Sequence, residues 1–343
     1  MLVLVLTSDV PFVHGGHRVL ARELAAALVR FGHRAEVMTT PQNRFGREWG
    51  AYLATWLMDV EHTGYGEPID RVISLRYPSY AIRHPDHVAW VVHRQREYYD
   101  LWEDLQQHLG PEARIKHALK RRVIHAIDRR LLARAQRLYA ISATVAQRLE
   151  RWGGHHATPL HPPAPVRPYR CEAYEPFVLA ISRLHRWKRV GLLLDSLAHA
   201  PGLDAVIAGD GPELAALRAK ATALGLERRV RFVGAVSDDE LVELYARCRA
   251  VFFAPFNEDY GFVTVEAFES RKAVITCSDS GGVPELVAHR VNGYVLPPDP
   301  AELGKALAEL GQDARLAEKL GAAAHATAAR LTWEQTVAEL TRP

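Results

Sequence analysis

Each half of the chain repeatedly alternates a short run of β-formers with a helix-length amphipathic stretch, and this limits its possible folds more than any other feature. Strands separated by helices cannot pair as hairpins, so the pattern predicts βαβ units and parallel sheets. In the first half "LVLVLTSD" reads as a strand and "HRVLARELAAALVRFG" as a helix with Leu20, Leu24, Ala27 and Leu28 on one face, closed by Gly32. "AEVMTT", "RVISLRYP", "VAWVVHR" and "QRLYAISA" read as further strands. Thr158–Cys171, "TPLHPPAPVRPYRC", holds five prolines and can continue neither a helix nor a central strand, so it reads as an interdomain linker.

The pattern then restarts. "FVLAISRL", "LDAVIAGDGP", "VRFVGAV", "AVFFAP" and "AVITCSD" read as strands with helical stretches between them, one of which Ser237 or Asp238 caps. The expected fold class is therefore α/β, two Rossmann-like domains with parallel sheets facing an interdomain cleft. The expected boundaries are 1–165, 166–325 and a C-terminal helix over 326–343.

No run of about eighteen apolar residues exists, and "MLVLVLTSDVPF" lacks the basic n-region of a signal peptide. Cys171, Cys248 and Cys277 are not in C-x-x-C spacing, which argues for a reducing cytoplasm and against a zinc site. Charge is uneven. Residues 1–168 carry 23 Lys/Arg against 16 Asp/Glu, and the rest 20 against 24, so a net +3 hides a +7 half and a −4 half. The basic half is expected to meet something anionic. Ala113–Arg137 concentrates that charge, with Ile115, Leu119, Val123, Ile127 and Leu131 recurring four apart. It reads either as a helix whose apolar stripe faces the core, or as a surface for anionic lipid or a lipid-linked acceptor at the inner face of the membrane. No nucleic-acid motif accompanies it.

In open α/β sheets ligands gather beyond the carboxyl ends of the strands. Four loops fall there. "PFVHGGH" places Gly15 and Gly16 where backbone amides can approach an anion, or where the chain needs only a tight turn. "IAGDGPE" lacks the full G-x-G-x-x-G pattern, so a dinucleotide cofactor is not expected. "SRLHRWKR" offers Arg183 and Lys188, a guanidinium and an ammonium suited to a diphosphate, or simply a solvated basic loop. "NEDYGFVTVEAFE" puts Glu258 in a loop and Glu266 in the first turn or so of a helix starting near Val263 or Thr264, where an acid also suits the helix dipole.

Taken in order, G-G after the first strand, S-R-x(4)-K, G-D-G-P, V-R-F-V-G, E-x(7)-E around Y-G-F, "SDSGGVPELV" and "NGYVLPPDP" resemble the retaining glycosyltransferases of family four. The resemblance is strongest over Phe177–Pro300. In the first half it rests on "GGHRVLARELAAALVRFGHRAEVMTT" and "HPDHVAWVVHRQREYYDLW". It implies the GT-B architecture, a nucleotide-sugar donor held mainly by the second domain, an acceptor held mainly by the first, and no metal or other cofactor.

Carried over, Arg183 and Lys188 would neutralise the leaving diphosphate and Glu258 would hold sugar hydroxyls. Tyr260, Gly261, Phe262 and Val263 would offer backbone amides to sugar and phosphates. Glu266 would bind the ribose diol, and Phe232, Val233 and Gly234 would lie near the base. Gly15 and Gly16 would close on the phosphates, and His93 would lie near the reaction centre, unless it is a structural strand-end histidine. The implied activity is retaining, metal-independent transfer from a UDP- or GDP-sugar to a glycan, lipid-linked or small-molecule acceptor. A nucleotide-sugar epimerase, or a non-catalytic nucleotide-sugar-binding subunit, would share the architecture.

Overall fold

The computed structural model describes residues 1–9, 15–41 and 45–343. The chain forms two compact units. The first is Met1–Pro162 together with Thr332–Pro343, and the second is Pro163–Leu331.

The first unit runs β1 (Leu2–Asp9), α1 (Gly16–Arg30), β2 (Arg34–Pro41), α2 (Glu48–Leu57), β3 (Arg71–Ser74), β4 (His87–Val91), α3 (Trp102–Gln107), α4 (Pro111–Leu132), β5 (Arg137–Ala140), α5 (Ala143–Gly153) and β6 (Thr158–Pro159). Its sheet is parallel, in the order β2-β1-β3-β4-β5-β6. β3 and β4 are buried along their whole length, which is why both read as unbroken β-former runs rather than alternating ones.

The second unit runs β7 (Phe177–Ile181), α6 (Val190–Leu197), β8 (Asp204–Ala208), α7 (Leu214–Ala223), β9 (Val230–Gly234), α8 (Asp238–Arg247), β10 (Ala250–Phe252), α9 (Phe262–Glu269), β11 (Val274–Cys277), β12 (Gly293–Leu296), α10 (Pro300–Gln312) and α11 (Ala314–Ala328). Its sheet is also parallel, in the order β12-β11-β10-β7-β8-β9. α8 starts at a capping box in which the Ser237 hydroxyl accepts from the Glu240 amide while the Glu240 carboxylate accepts from the Ser237 amide.

Units and expected boundaries differ at both ends. Pro163–Pro165 group with the second unit, and α11 carries that unit on to Leu331. Thr332 then caps α12 (Trp333–Thr341), which packs on α1 of the first unit. Arg71, 3% exposed, fastens it there: its Nη1 donates to the carbonyls of Leu340 (3.0 Å) and Arg342 (2.9 Å), while Nε and Nη2 grip Asp86.

The basic helix is where sequence periodicity misleads. α4 meets the first unit through Ile124, Asp128, Leu131 and Leu132. Of the stripe read from the sequence, Ile115, Leu119 and Val123 are 66%, 58% and 49% exposed, and only its last member, Leu131, is buried. A polar residue takes the core position: the Asp128 carboxylate accepts from the hydroxyls of Tyr52, Tyr80 (2.8 Å) and Tyr99 (2.6 Å), which tie α2 and two loops to α4. Burial pushes the Asp128 carboxyl up, and these phenols together with Arg94 hold it back.

Arg71→Met removes the cation that α12 and Asp86 share, at an expected cost of about 2–4 kcal/mol. Urea unfolding should show that loss, and hydrogen exchange should speed up at α12 amides ahead of those of α8. Equal protection of α12 in both proteins would refute the anchoring role.

Candidate functional site

In the second unit the strand order reverses between β7 and β10, which are neighbours in space although 68 residues intervene between the end of one and the start of the other. The loops leaving them diverge there and leave room for a ligand. Arg183 and Lys188 leave β7 on one side, and Glu258 follows β10 on the other. The Lys188 Nζ reaches the Glu258 Oε2 at 2.8 Å, with both side chains about one-fifth exposed. Arg183 is exposed. A half-buried ion pair thus stands at the point where the topology leaves a gap, and an exposed arginine leaves the same strand as its lysine.

Three loops are knitted into this shape. The Phe256 amide donates to the Trp187 carbonyl (2.7 Å), and the two rings stack 5.7 Å apart. Arg189 grips Asp279 with two nitrogens (2.7 and 2.8 Å) and donates to the carbonyls of Ala254 and Pro255. The Gly282 amide donates to the Glu258 carbonyl (3.0 Å). Gly281 has φ +66°, and a Cβ there would sit 2.1 Å from the Glu258 carbonyl oxygen, so only glycine lets "SDSGGVPE" lie this close. Arg189 and Asp279 were not singled out from the sequence, though both fall inside quoted motifs. Their pairing is long-range and leaves no local signature.

Gly261, at φ +90°, turns the chain into α9. A Cβ there would meet the Phe253 ring at 2.6 Å, and the Lys188 ammonium lies 5.4 Å from the centre of the same ring. The N-terminus of α9, with the amides of Phe262 and Val263 in its first turn, therefore lies beside the ion pair. α9 begins at Phe262, one residue before the expected start, and the Tyr260 side chain is buried.

Glu266 differs from its sequence reading. It sits in the second turn of α9, not the first, and is 7% exposed. It is no helix-dipole partner. Its Oε1 accepts from Arg167 Nη1 (3.0 Å) and its Oε2 from the buried Tyr245 hydroxyl (2.9 Å). Burial raises its carboxyl above the usual range, while Arg167 and Tyr245 pull it back. Phe232, Val233 and Gly234 end β9 at the sheet edge, all partly exposed, with the Arg218 guanidinium 5.9 Å from the Phe232 ring. The "IAGDGPE" turn packs on the loop after β7, where the Leu184 amide donates to the Asp210 carbonyl (2.8 Å).

The first unit reverses its strand order between β1 and β3. Gly15 is the N-cap of α1 and Gly16 its first residue, while Pro11–His14 of that loop lie outside the described residues. Two residues that sequence reasoning missed stand at this reversal. Arg76 Nη1 lies 3.0 and 3.1 Å from the two ring nitrogens of His17, and His17 Nε2 lies 3.1 Å from the Ser8 carbonyl oxygen. Burial, then Arg76 and His93, push the His17 pKa down to about 3, so it stays neutral and can donate from Nε2 while accepting at Nδ1. His93 follows β4, half-buried, with Nδ1 2.6 Å from the Arg94 carbonyl oxygen.

Among the described residues no three His, Cys, Asp or Glu cluster as metal ligands, and no helix is long and apolar enough to cross a membrane. The three cysteines are free.

Two Rossmann-like units, each with its strand reversal lined by basic groups or helix amides, define an α/β chain of the GT-B class. Residues 170–327, nearly the whole second unit, match the sequence family described as Glycosyl transferases group 1. The mouse alpha-1,3/1,6-mannosyltransferase ALG2 is 34% identical over 113 residues, 29% of this chain and 27% of that protein. The chain spans about a quarter to two-fifths of the length of the curated relatives it matches.

Solved structures align over nearly the whole chain and share its fold. Sucrose-phosphate synthase from Thermosynechococcus elongatus has a TM-score of 0.79 at 18% identity, covering 99% of this chain and 97% of that one. Anabaena HepE, solved with UDP and glucose, has a TM-score of 0.72 at 22% identity, covering all of both chains.

Gly281→Ala forces the Glu258 loop to move or the backbone to strain, at an expected cost of about 1–3 kcal/mol. Thermal unfolding checks it, and a melting temperature equal to wild type would show that the close approach is dispensable.

Proposed function

We propose that the protein transfers a sugar from a UDP- or GDP-sugar to an acceptor hydroxyl, with retention at the anomeric carbon and without a metal ion. The observation that carries this reading is the Lys188–Glu258 pair at the β7/β10 reversal, beside the N-terminus of α9 and the exposed Arg183. A cationic pair and helix amides suit a diphosphate, and a carboxylate beside them suits sugar hydroxyls. The family match and the UDP-bound neighbour support the donor class.

In the step itself the bond from the anomeric carbon to the diphosphate oxygen breaks, and a bond to the acceptor oxygen forms on the same face. The acceptor proton passes to the leaving phosphate. Arg183 and Lys188 meet the charge that develops on the diphosphate, Glu258 holds the sugar, and Glu266 holds the ribose. The phosphate and reaction-centre roles that the resemblance implies for Gly15, Gly16 and His93 belong to the first unit, where His17 and Arg76 stand at the same strand reversal as the two glycines.

Arg183→Ala and Lys188→Ala should each lower turnover by roughly 10²–10³-fold, the scale of losing one preorganised donor, with a much smaller change in donor binding. EDTA treatment should leave turnover unchanged. Near wild-type turnover in both variants would remove the diphosphate assignment, and loss on EDTA treatment would remove metal independence. A donor panel separates the other classes: an isomerised donor means an epimerase, and binding without transfer or hydrolysis means a binding subunit.

The acceptor end of this reading is a lipid-linked glycan met from the cytoplasmic side, through the basic segment 113–137. α4 alone carries seven Lys/Arg against two Asp/Glu, five of the seven net positive charges of residues 1–168. Its exposed Ile115, Leu119 and Val123 are matched by exposed Trp49, Leu53 and Leu57 on α2. Lys120 joins the helices through Glu48 and lies 5.7 Å from the Trp49 ring, so both apolar stripes flank one seam. Apolar stripes rimmed by basic side chains suit an anionic bilayer, at about 1 kcal/mol per Lys or Arg near its surface.

The protein should float with vesicles containing phosphatidylglycerol but not with pure phosphatidylcholine, and Leu53→Glu with Leu119→Glu should cut that binding at least tenfold. Equal binding to both lipids, no binding, or a dimer that the same substitutions dissociate would each overturn the bilayer assignment.

A further inference from the structure

We infer that Arg167 is a positioning residue that aims the buried Glu266 carboxylate at the ribose diol of the donor. The inference rests on the proposed role of Glu266 as the ribose ligand and assigns the group that makes that role possible.

Arg167 is the fifth residue of the second unit, which begins at Pro163, and lies 99 positions before Glu266. Its Nη1 donates to Glu266 Oε1 at 3.0 Å and reaches the Tyr169 hydroxyl at 3.2 Å, and its Nε donates to Asp238 Oδ1 at 3.0 Å. Tyr245, itself buried, donates to the other Glu266 oxygen at 2.9 Å. Each carboxylate oxygen therefore accepts one hydrogen bond from the protein. A carboxylate has about four acceptor positions, so about two remain, and 9% of the side-chain surface stays open to receive a partner. Two acceptor positions on a carboxylate of fixed orientation match two adjacent hydroxyls.

Without a cation, a carboxylate this deeply buried takes up a proton, and a protonated acid offers one acceptor fewer. The groups facing it are Arg167 and Tyr169 from the segment entering the second unit, and Tyr245 and Asp238 from α8. Of these only Arg167 is cationic. Asp238 pushes the Glu266 carboxyl up, as does burial, while Arg167 and Tyr245 pull it down. Removing Arg167 raises the pH at which Glu266 loses its proton, so binding that needs the carboxylate weakens at neutral pH and recovers as pH rises.

The experiment is calorimetric titration of the full chain with UDP and with 2′-deoxy-UDP, or with the guanosine pair if the donor panel selects GDP. Wild type should prefer the ribonucleotide at least tenfold. Glu266→Gln should abolish that preference. Arg167→Gln should abolish it at pH 7 and regain part of it by pH 8.5, and Arg167→Lys should keep most of it at both pH values. Melting curves confirm that each variant is folded, and a destabilised but folded Arg167→Gln that still discriminates would mark Arg167 as merely structural. Retained discrimination in Glu266→Gln would remove the ribose reading itself. Lost discrimination in Glu266→Gln, with a wild-type preference and pH profile in Arg167→Gln, would overturn the inference alone.

Discussion

The constraint on which the second unit's site depends is that β7 and β10 are adjacent and parallel, while the chain between them builds β8 and β9 on the far side of β7. The loops leaving the two strands must part, and a parallel sheet has no hairpin to close the gap. Lys188 and Glu258 come from those two loops and meet across it. Arg189 holds the arrangement from beneath, taking two carbonyls of the β10 loop and the Asp279 carboxylate of the β11 loop in one guanidinium. Lys188 and Arg189, adjacent in sequence, therefore do different work. Lys188 has one carboxylate partner and stays partly exposed, whereas the hydrogen-bonding edge of Arg189 is filled by the protein.

The strands and helices were legible because their signals are local. Runs such as "VRFVG" and "VITC" carry enough β-formers to declare themselves, and Ser237 with Glu240 announces a helix start within four residues. That each candidate loop follows a strand was legible too. What was not legible is which side of an element faces what. On α4 the apolar residues four apart allowed either a core stripe or an exposed surface, and the helix is rotated so that Asp128 faces inward and Ile115, Leu119 and Val123 face out. Periodicity reports that a helix has two unlike faces, and partners decide which is buried. Here the partners are three tyrosines at positions 52, 80 and 99, and no local rule links them to position 128.

The dipole alternative for Glu266 failed for the same reason at a smaller scale. An acid near a helix start has a local explanation in the dipole, and that explanation assumes exposure. The structure buries the residue and supplies Arg167 from the far end of the second unit's sequence. A buried ion pair is poor evidence of stability, because desolvating both charges offsets most of their attraction. Apolar residues of similar volume often fill such a space without loss of stability, so stability alone does not account for an acid, a guanidinium and two phenols here.

The buried acids of the two units make that reason more specific. Asp128 accepts from three phenols and has no ion-pair partner among the described residues; both its oxygens are taken up in joining α2, α4 and two loops, and it is fully enclosed. Glu266 is nearly as deep, yet each of its oxygens accepts once and a sliver of its surface stays open. A carboxylate meant only to join elements needs no open surface, and Asp128 has none. One that is fixed in direction, paired with a cation and left with unspent acceptor positions is arranged for a partner that comes and goes. In a unit whose strand reversal also carries Lys188 and an exposed Arg183, the diol of a nucleotide is the partner we propose.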